Sequence, residues 1–468
     1  MSFETLAALA PQDDTMERLT VIGGGLAGCE AAWQAARRGV AVDLYEMRPT
    51  KSGPAHQTDR LAELVCSNSL RGAAIENAVG LLKEELARLD SIIITSAREA
   101  AVPAGGALAV DRVLFAQGVE ERIEREPLIA LHREAVDAIP LDRPVVVACG
   151  PLPSDEMLAS IDALVGTRMH YFDAASPIVS ADSLDESQMY RKSRYEKGDG
   201  DDYINVPLDR EQYAQLIHDL KTLPRHQPKD FEEDAKTKYF EGCLPVEEMA
   251  DRGDETLRFG PLKPVGLRHP VTGITPYAVV QLRKENAEGT AFNLVGFQTR
   301  LTWPAQKEAF GKLPGMANAE WLRLGVMHRN TFLDSPRLLD ASLRLRGHDA
   351  IWFAGQITGA EGYVEAAACG MMTGIHAARQ ILGQPPVTFP RETALGAVVA
   401  HLQNTTTPDF QPANVTWAPF PELERKIRDK KERRGLMAER ALEALAQFAL
   451  QIAVEGRGPM PEQRSDER

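Results

Sequence analysis

Residues 21–46, VIGGGLAGCEAAWQAARRGVAVDLYE, restrict the fold of this chain more than any other segment. Gly23, Gly25 and Gly28 form G-x-G-x-x-G between a short apolar strand and an alanine-rich helix that Gly39 stops. The first glycine allows a tight turn, the second lets backbone approach a pyrophosphate, and the third lets helix pack on strand. A second apolar strand ends on Glu46, 18 residues past Gly28, where a carboxylate can accept hydrogen bonds from an adenosine ribose. Strand, helix and acid fall in register, so the segment predicts a βαβ dinucleotide site built from Gly23, Gly24, Gly25, Leu26, Ala27, Gly28 and Glu46.

A second glycine cluster separates FAD from NAD. In WFAGQITGAEGYVEAAACGMMTG, Gly355, Gly359 and Gly362 again stand between a strand and an alanine-rich helix. A dehydrogenase with a single nucleotide fold does not need this late helix, whereas flavoproteins of the glutathione-reductase type aim it at the flavin. The strand and turn VVVACGPL, ending at Gly150, suits the same class. The expected fold is therefore α/β, a Rossmann-type, glutathione-reductase-like FAD domain with an inserted α/β domain. Gly150, Gly355, Gln356, Gly359, Gly362 and Tyr363 join the cofactor-binding set.

At 468 residues the chain exceeds one simple core, and its texture changes between 186 and 325, where charge, Tyr and Pro increase. The expected organisation is an FAD domain over 16–185 and 326–455, an insertion at 186–325, and disordered tails at 1–15 and 456–468. NAVGLLKEELARLDSIIITSAREA carries helical spacing, with Leu81, Leu82, Leu86 and Leu89 on one side. No apolar run approaches a membrane span, and the first residues lack a basic and an apolar leader region, so a cytoplasmic protein is expected. The five cysteines, at 29, 66, 149, 243 and 369, form no CxxC pair, which argues against a disulfide framework or a cysteine metal site.

Further motifs narrow the family. LAELVCSNSLRG (61–72), YFEGCLPVEEMADRG (239–253), GPLKPVGL (260–267), TPYAVVQLRKEN (275–286) and GVMHRNTFLDSP (325–336) closely resemble the folate- and FAD-dependent tRNA (uracil-5-)-methyltransferases, TrmFO. The resemblance runs from about Leu19 to Leu445. INVPLD at 204–209 has Val206 where some members carry cysteine, a change away from the chemistry. The resemblance implies that NAD(P)H reduces FAD, that 5,10-methylenetetrahydrofolate supplies a one-carbon unit, and that the methyl ends on a T-loop uridine of tRNA. It also implies that Cys66 and Cys243 are the two functional thiols. Uracil carbon 5 becomes nucleophilic only once a group such as a thiolate adds at carbon 6, and a base must later take the carbon 5 proton. Which cysteine does which is left open by the sequence. Cys29, Cys149 and Cys369 sit in apolar strand or helix positions and read as packing residues.

The same resemblance implies the tRNA T-arm, folate and a nicotinamide dinucleotide as partners; no membrane is expected, and the sequence leaves the oligomeric state open, with a monomer favoured. Two stretches suit RNA contact. QMYRKSRYEKGDGDDYINVP interleaves Arg191, Lys192, Arg194 and Lys197 with Tyr190, Tyr195 and Tyr203. ERKIRDKKERR is expected to carry seven cations on a helix, either for phosphates or as a face stapled by Glu424, Asp429 and Glu432. The net charge of −14 does not exclude such a local patch. His328, Arg329 and Asn330 are further candidates for folate or flavin contact. The alternatives are a plain NAD(P)H-dependent flavin oxidoreductase without RNA, an RNA-binding or assembly protein merely stabilised by flavin, and the related wobble-uridine-modifying flavoprotein (MnmG). The last is expected to need a longer helical C-terminal region.

Overall fold

The computed structural model describes residues 17–166, 169–198, 200–226, 244–406 and 410–453. Both expected tails, 1–15 and 456–468, lie outside them. The strand Leu19–Ile22 lies at the centre of a five-stranded parallel sheet ordered Ile351–Phe353, Val145–Val147, Leu19–Ile22, Val42–Tyr45, Ile129–His132. Three of these strands are fully buried apolar runs, as strands covered on both faces must be. The helices Leu26–Ala36 and Tyr363–Ile381 pack against each other. A Cβ at Gly370 would overlap the Ala27 carbonyl oxygen, and one at Gly374 would come within 2.5 Å of the Ala31 oxygen. This close approach brings both helix N-termini to the carboxyl edge of the sheet, where open α/β folds bind their ligands.

The leucine-rich segment after residue 77 is two helices, Ala78–Arg88 and Ile92–Glu99. Asp90 takes a positive φ of 62° between them, and the Ser91 hydroxyl caps the second by accepting from the Ile94 N–H. Leu81, Leu82, Leu86 and Leu89 are buried.

A second, six-stranded antiparallel sheet holds Tyr190–Arg191, Tyr203–Leu208, Ala278–Lys284, Ala291–Leu294, Ile178–Ser180 and Trp321–Arg323, in that order. Ile178–Ser180 belongs to it although it precedes residue 186, so the inserted unit starts earlier than the change in composition. The chain enters and leaves through the paired strands Met169–Ala174 and Met327–Phe332. Alternation along these strands gives the sheet two faces. Ile204, Val206, Val280, Leu282, Phe292 and Leu294 enter its own core. Asn205, Gln281, Arg283 and Asn293 on the other face are also buried, and Arg283 bonds Ser67 and Asn68 of the first unit. The two units thus meet on a polar surface beside Cys66.

The final helix spans Lys430–Ile452, and its buried stripe of Met437, Ala441, Leu445, Phe448 and Ile452 follows helical spacing. It begins later than the sequence suggests. Asp429 is its cap, accepting from the Glu432 N–H at 2.7 Å, so Arg425, Lys426 and Arg428 precede the helix.

Candidate functional site

The two glycine clusters line one cleft. Gly23, Gly24, Gly25, Leu26, Ala27, Glu46, Gly150, Gly355, Gln356 and Tyr363 border it, with Ile22, Ala55, Val65, Val136 and Met157 as apolar wall. Gly28, Gly359 and Gly362 do not border it. Gly23 needs its freedom: φ is 107°, and a Cβ there would overlap the Ala148 carbonyl. A Cβ on Gly28 would overlap the Gly23 carbonyl oxygen. Gly25 differs, because its added Cβ would meet nothing within 4 Å and would project into open cleft. The helix from Leu26 has no acidic residue in its first turn and no side-chain cap. Its N–H groups and positive end are left for an anion. Space at Gly25, two converging helix ends, a carboxylate and apolar walls together fit FAD.

Glu46 is 4% exposed and held on all sides. It accepts from the Gly24 N–H at 3.0 Å and from the Arg48 guanidinium at 2.7 and 3.0 Å. The Arg48 N–H donates to it as well, at 3.0 Å. A ribose hydroxyl bound here would share an oxygen already in use. Burial, the largest influence on this carboxyl, pushes its pKa up, but the bonds to Arg48 and its charge outweigh that and hold it below the ordinary value. Arg48, itself 1% exposed, was not singled out from sequence. Its signal was its place two residues after Glu46, on the same side of an extended chain.

A carboxyl whose folded pKa is depressed stabilises above its unfolded value, about 4.3, and loses that contribution as pH falls below it. Acid titration of the holoprotein is therefore expected to release flavin below about pH 4, followed by flavin fluorescence. Glu46→Gln should weaken flavin retention at pH 7 and destabilise by about 3 kcal/mol, since it removes one partner of a buried pair and leaves Glu63 as the carboxylate facing Arg48.

Cys66 stands at the rim of this cleft. Its N–H and that of Ser67 donate to the Tyr363 hydroxyl at 2.7 and 3.2 Å. Tyr363 is the first residue of the long helix and lines the cleft together with Val65. The thiol reaches the Ala174 carbonyl at 3.9 Å. Three arginines from separate elements hold the loop. Arg112 donates to the Cys66 carbonyl at 2.9 Å and pairs with Glu285 at 2.5 Å. Arg323 donates to the Val65 carbonyl at 2.6 Å. Arg283 donates to the Ser67 hydroxyl at 2.9 Å and the Asn68 side-chain oxygen at 3.0 Å. All three guanidinium groups lie near enough for their charge to be felt at Cys66. Cationic, partly open surroundings of this kind mark reactive cysteines. No local pattern announces these arginines, which lie 46 to 257 residues away in sequence.

Cys243 lies outside the described residues, and description resumes at Leu244, which is buried. Cys29 and Cys369 are buried in the core, and burial pushes the Cys369 thiol up to about 12. Cys149 is pushed up to about 12 in the same way, although it borders the cleft. Among the described residues, no cluster of three His, Cys, Asp or Glu side chains could hold a metal.

The tyrosine-rich stretch is mostly structural. The Tyr190 hydroxyl donates to the Leu267 carbonyl at 2.5 Å, and that of Tyr203 to the Ala104 carbonyl at 3.0 Å. Arg191 pairs with Glu186, leaving Tyr195 as the exposed ring. The side chains of His328 and Arg329 lie outside the described residues, and Asn330 is buried in the connecting ribbon.

Residues 18–385 match the family model described as glucose inhibited division protein A. A protein of Pelobacter propionicus named methylenetetrahydrofolate--tRNA-(uracil-5-)-methyltransferase TrmFO is 57% identical over 92% of this chain and 94% of its own. Its namesake in Geobacter sulfurreducens is 56% identical over 91% and 98%. That of Syntrophotalea carbinolica is 50% identical over 98% and 99%. Among solved structures, Aquifex aeolicus GidA in its form I crystal aligns with a TM-score of 0.67 at 16% identity, covering 93% of this chain and 76% of that one. The last match shows a shared fold.

Proposed function

The chain belongs to the glucose inhibited division protein A family and, within it, to the TrmFO tRNA (uracil-5-)-methyltransferases; on that premise we propose that it methylates the T-loop uridine of tRNA with Cys66 as nucleophile and Cys243 as general base. It is an FAD-dependent enzyme that takes its one-carbon unit from methylenetetrahydrofolate. Bound FAD, reduced by NAD(P)H, supplies the electrons that turn this unit into a methyl group. The observation that carries the reading is the position of Cys66, at the rim of the flavin cleft on a loop gripped by Arg112, Arg283 and Arg323.

The residues divide the work. The helix ends at Leu26 and Tyr363 bind the cofactor phosphates, and Glu46, held by Arg48, orients the adenosine end. The arginines favour an anionic sulfur at Cys66, which adds to uracil carbon 6 and raises electron density at carbon 5. Carbon 5 then bonds the one-carbon unit; the base removes the carbon 5 proton as the unit's bond to folate breaks, and Cys66 departs to restore the ring once the unit has been reduced to a methyl group. We place this work in the cytoplasm, where tRNA and reduced nicotinamide dinucleotides meet. No helix among the described residues is long and apolar enough to cross a membrane.

The test is one assay with purified protein, FAD, NADPH, methylenetetrahydrofolate and unmodified tRNA. Ribothymidine at the T-loop position, dependent on both folate and NADPH, is the expected result. Brisk NADPH oxidation indifferent to tRNA, with no ribothymidine, would sink the reading in favour of a plain oxidoreductase.

A further inference from the structure

Residues 424–434 carry seven cations against three acids in a chain whose net charge is −14. Leu423 and Ile427 pack inward, and Arg440 fixes the base of the segment by donating to the Glu422 and Pro421 carbonyls at 2.9 and 2.5 Å. Arg425, Lys426, Arg428, Lys430, Lys431 and Arg433 point outward and are exposed. Among the described residues none of these six is in an ion pair. Elsewhere on the surface Arg88, Arg98 and Arg125 each find a carboxylate. Among the described residues Glu424, Asp429 and Glu432 form no ion pair with these six, and the Asp429 carboxylate caps the helix.

The arrangement also breaks a local rule. Lys430, Lys431 and Arg433 crowd the start of a helix 23 residues long, where they outnumber the two acids present, the cap Asp429 and Glu432 of the first turn. That is the positive end of the helix dipole, where cations are unfavourable and acids are preferred. A sequence that violates local electrostatics on an exposed, anchored surface points to a function for it.

The segment's place in the fold suggests which. Upstream, Ala413 pairs with Ala360, Asn414 donates to the Glu361 carbonyl at 2.7 Å, and the Val415 N–H donates to Glu365 at 2.8 Å. These contacts lie at the N-terminal end of the helix whose Tyr363 holds the Cys66 loop. From Val415 the chain reaches Arg425 in ten residues, so the start of the patch lies within about 35 Å of Val415.

We propose that the outward face of residues 425–434 is a contact surface for the tRNA phosphate backbone, away from the base being modified. This rests on the tRNA-modifying function proposed above. The surface supplies sequence-independent affinity, and the cleft beside Cys66 selects the uridine.

Two triple variants test it: Arg425→Ser/Lys426→Ser/Arg428→Ser and Lys430→Ser/Lys431→Ser/Arg433→Ser. Each is expected to bind unmodified full-length tRNA transcript about tenfold more weakly at 0.1 M salt, with the slope of log K against log salt shallower by about two. NADPH oxidation without tRNA should stay at the wild-type rate, and kcat at saturating tRNA within about twofold, so the effect falls on KM. The helix variant should melt no lower than wild type, because it removes cations from the positive helix end. Wild-type affinity and salt slope in both variants would overturn the proposal. So would a loss of affinity that appears only with a lowered melting point, or weaker binding to anionic vesicles with tRNA binding intact. A wild-type protein that binds tRNA in this manner but forms no ribothymidine would defeat the proposed function and leave the surface standing.

Discussion

Cys66→Ala is expected to purify with its flavin and to form ribothymidine at less than about a thousandth of the wild-type rate, since nucleophile deletions in covalent enzymes cost this much or more. The two halves of the expectation come from different atoms. The loop is held through the backbone: the Cys66 N–H bonds Tyr363 and its carbonyl bonds Arg112. Alanine keeps both. The sulfur's protein contact with the Ala174 carbonyl is long, at 3.9 Å, and a lost contact of that kind costs at most about 1 kcal/mol. Covalent addition at carbon 6 is lost entirely, and a thousandfold in rate is about 4 kcal/mol of transition-state stabilisation. Flavin absorbance, melting temperature and ribothymidine yield measured on the same preparation separate these effects. A rate within tenfold of wild type would remove Cys66 from the chemistry, and loss of flavin together with activity would make its role structural.

Gly28→Ala and Gly25→Ala are expected to part company although they sit three residues apart in one motif. The methyl of Gly28→Ala would overlap the Gly23 carbonyl oxygen, a backbone atom fixed in the turn, with the Ala148 Cβ a further 3.4 Å neighbour. Helix and strand must separate, so the apoprotein should lose about 3 kcal/mol and bind no flavin. The methyl of Gly25→Ala meets nothing within 4 Å in the protein, and Gly25 has a φ of −77° that alanine adopts easily. Its apoprotein should unfold at the wild-type denaturant concentration, while flavin affinity falls about a hundredfold because the methyl occupies phosphate space. Denaturant melts and flavin titration on both variants provide the check. Equal flavin affinity for Gly25→Ala and wild type would place the pyrophosphate elsewhere.

Much of the cleft's lining was legible because its signals are local. A tight turn, a close helix–strand approach and an acid at a strand end are requirements that neighbouring residues satisfy, so they are written within 26 residues. The second glycine cluster was legible for the same reason. The helix start at Lys430 was misplaced because charge runs on through Arg425 to Arg434, and only the Asp429 cap marks the boundary. The early start of the inserted unit was missed because Ile178–Ser180 is too short to declare its sheet, and pairing with Ala291–Asn293 decides it.

The sequence by itself determined the nucleotide-binding halves, their order and the family, since each rests on residues adjacent along the chain. Only the tertiary structure decided the surroundings of Cys66. Tyr363, Arg112, Arg283 and Arg323 come from four elements on two units, and the polar sheet face carrying Arg283 looks in sequence like the solvent side of an alternating strand. Alternation reports that two faces differ, but not what each face meets. That is settled by how the inserted sheet packs against the flavin domain, through contacts between residues far apart in the chain.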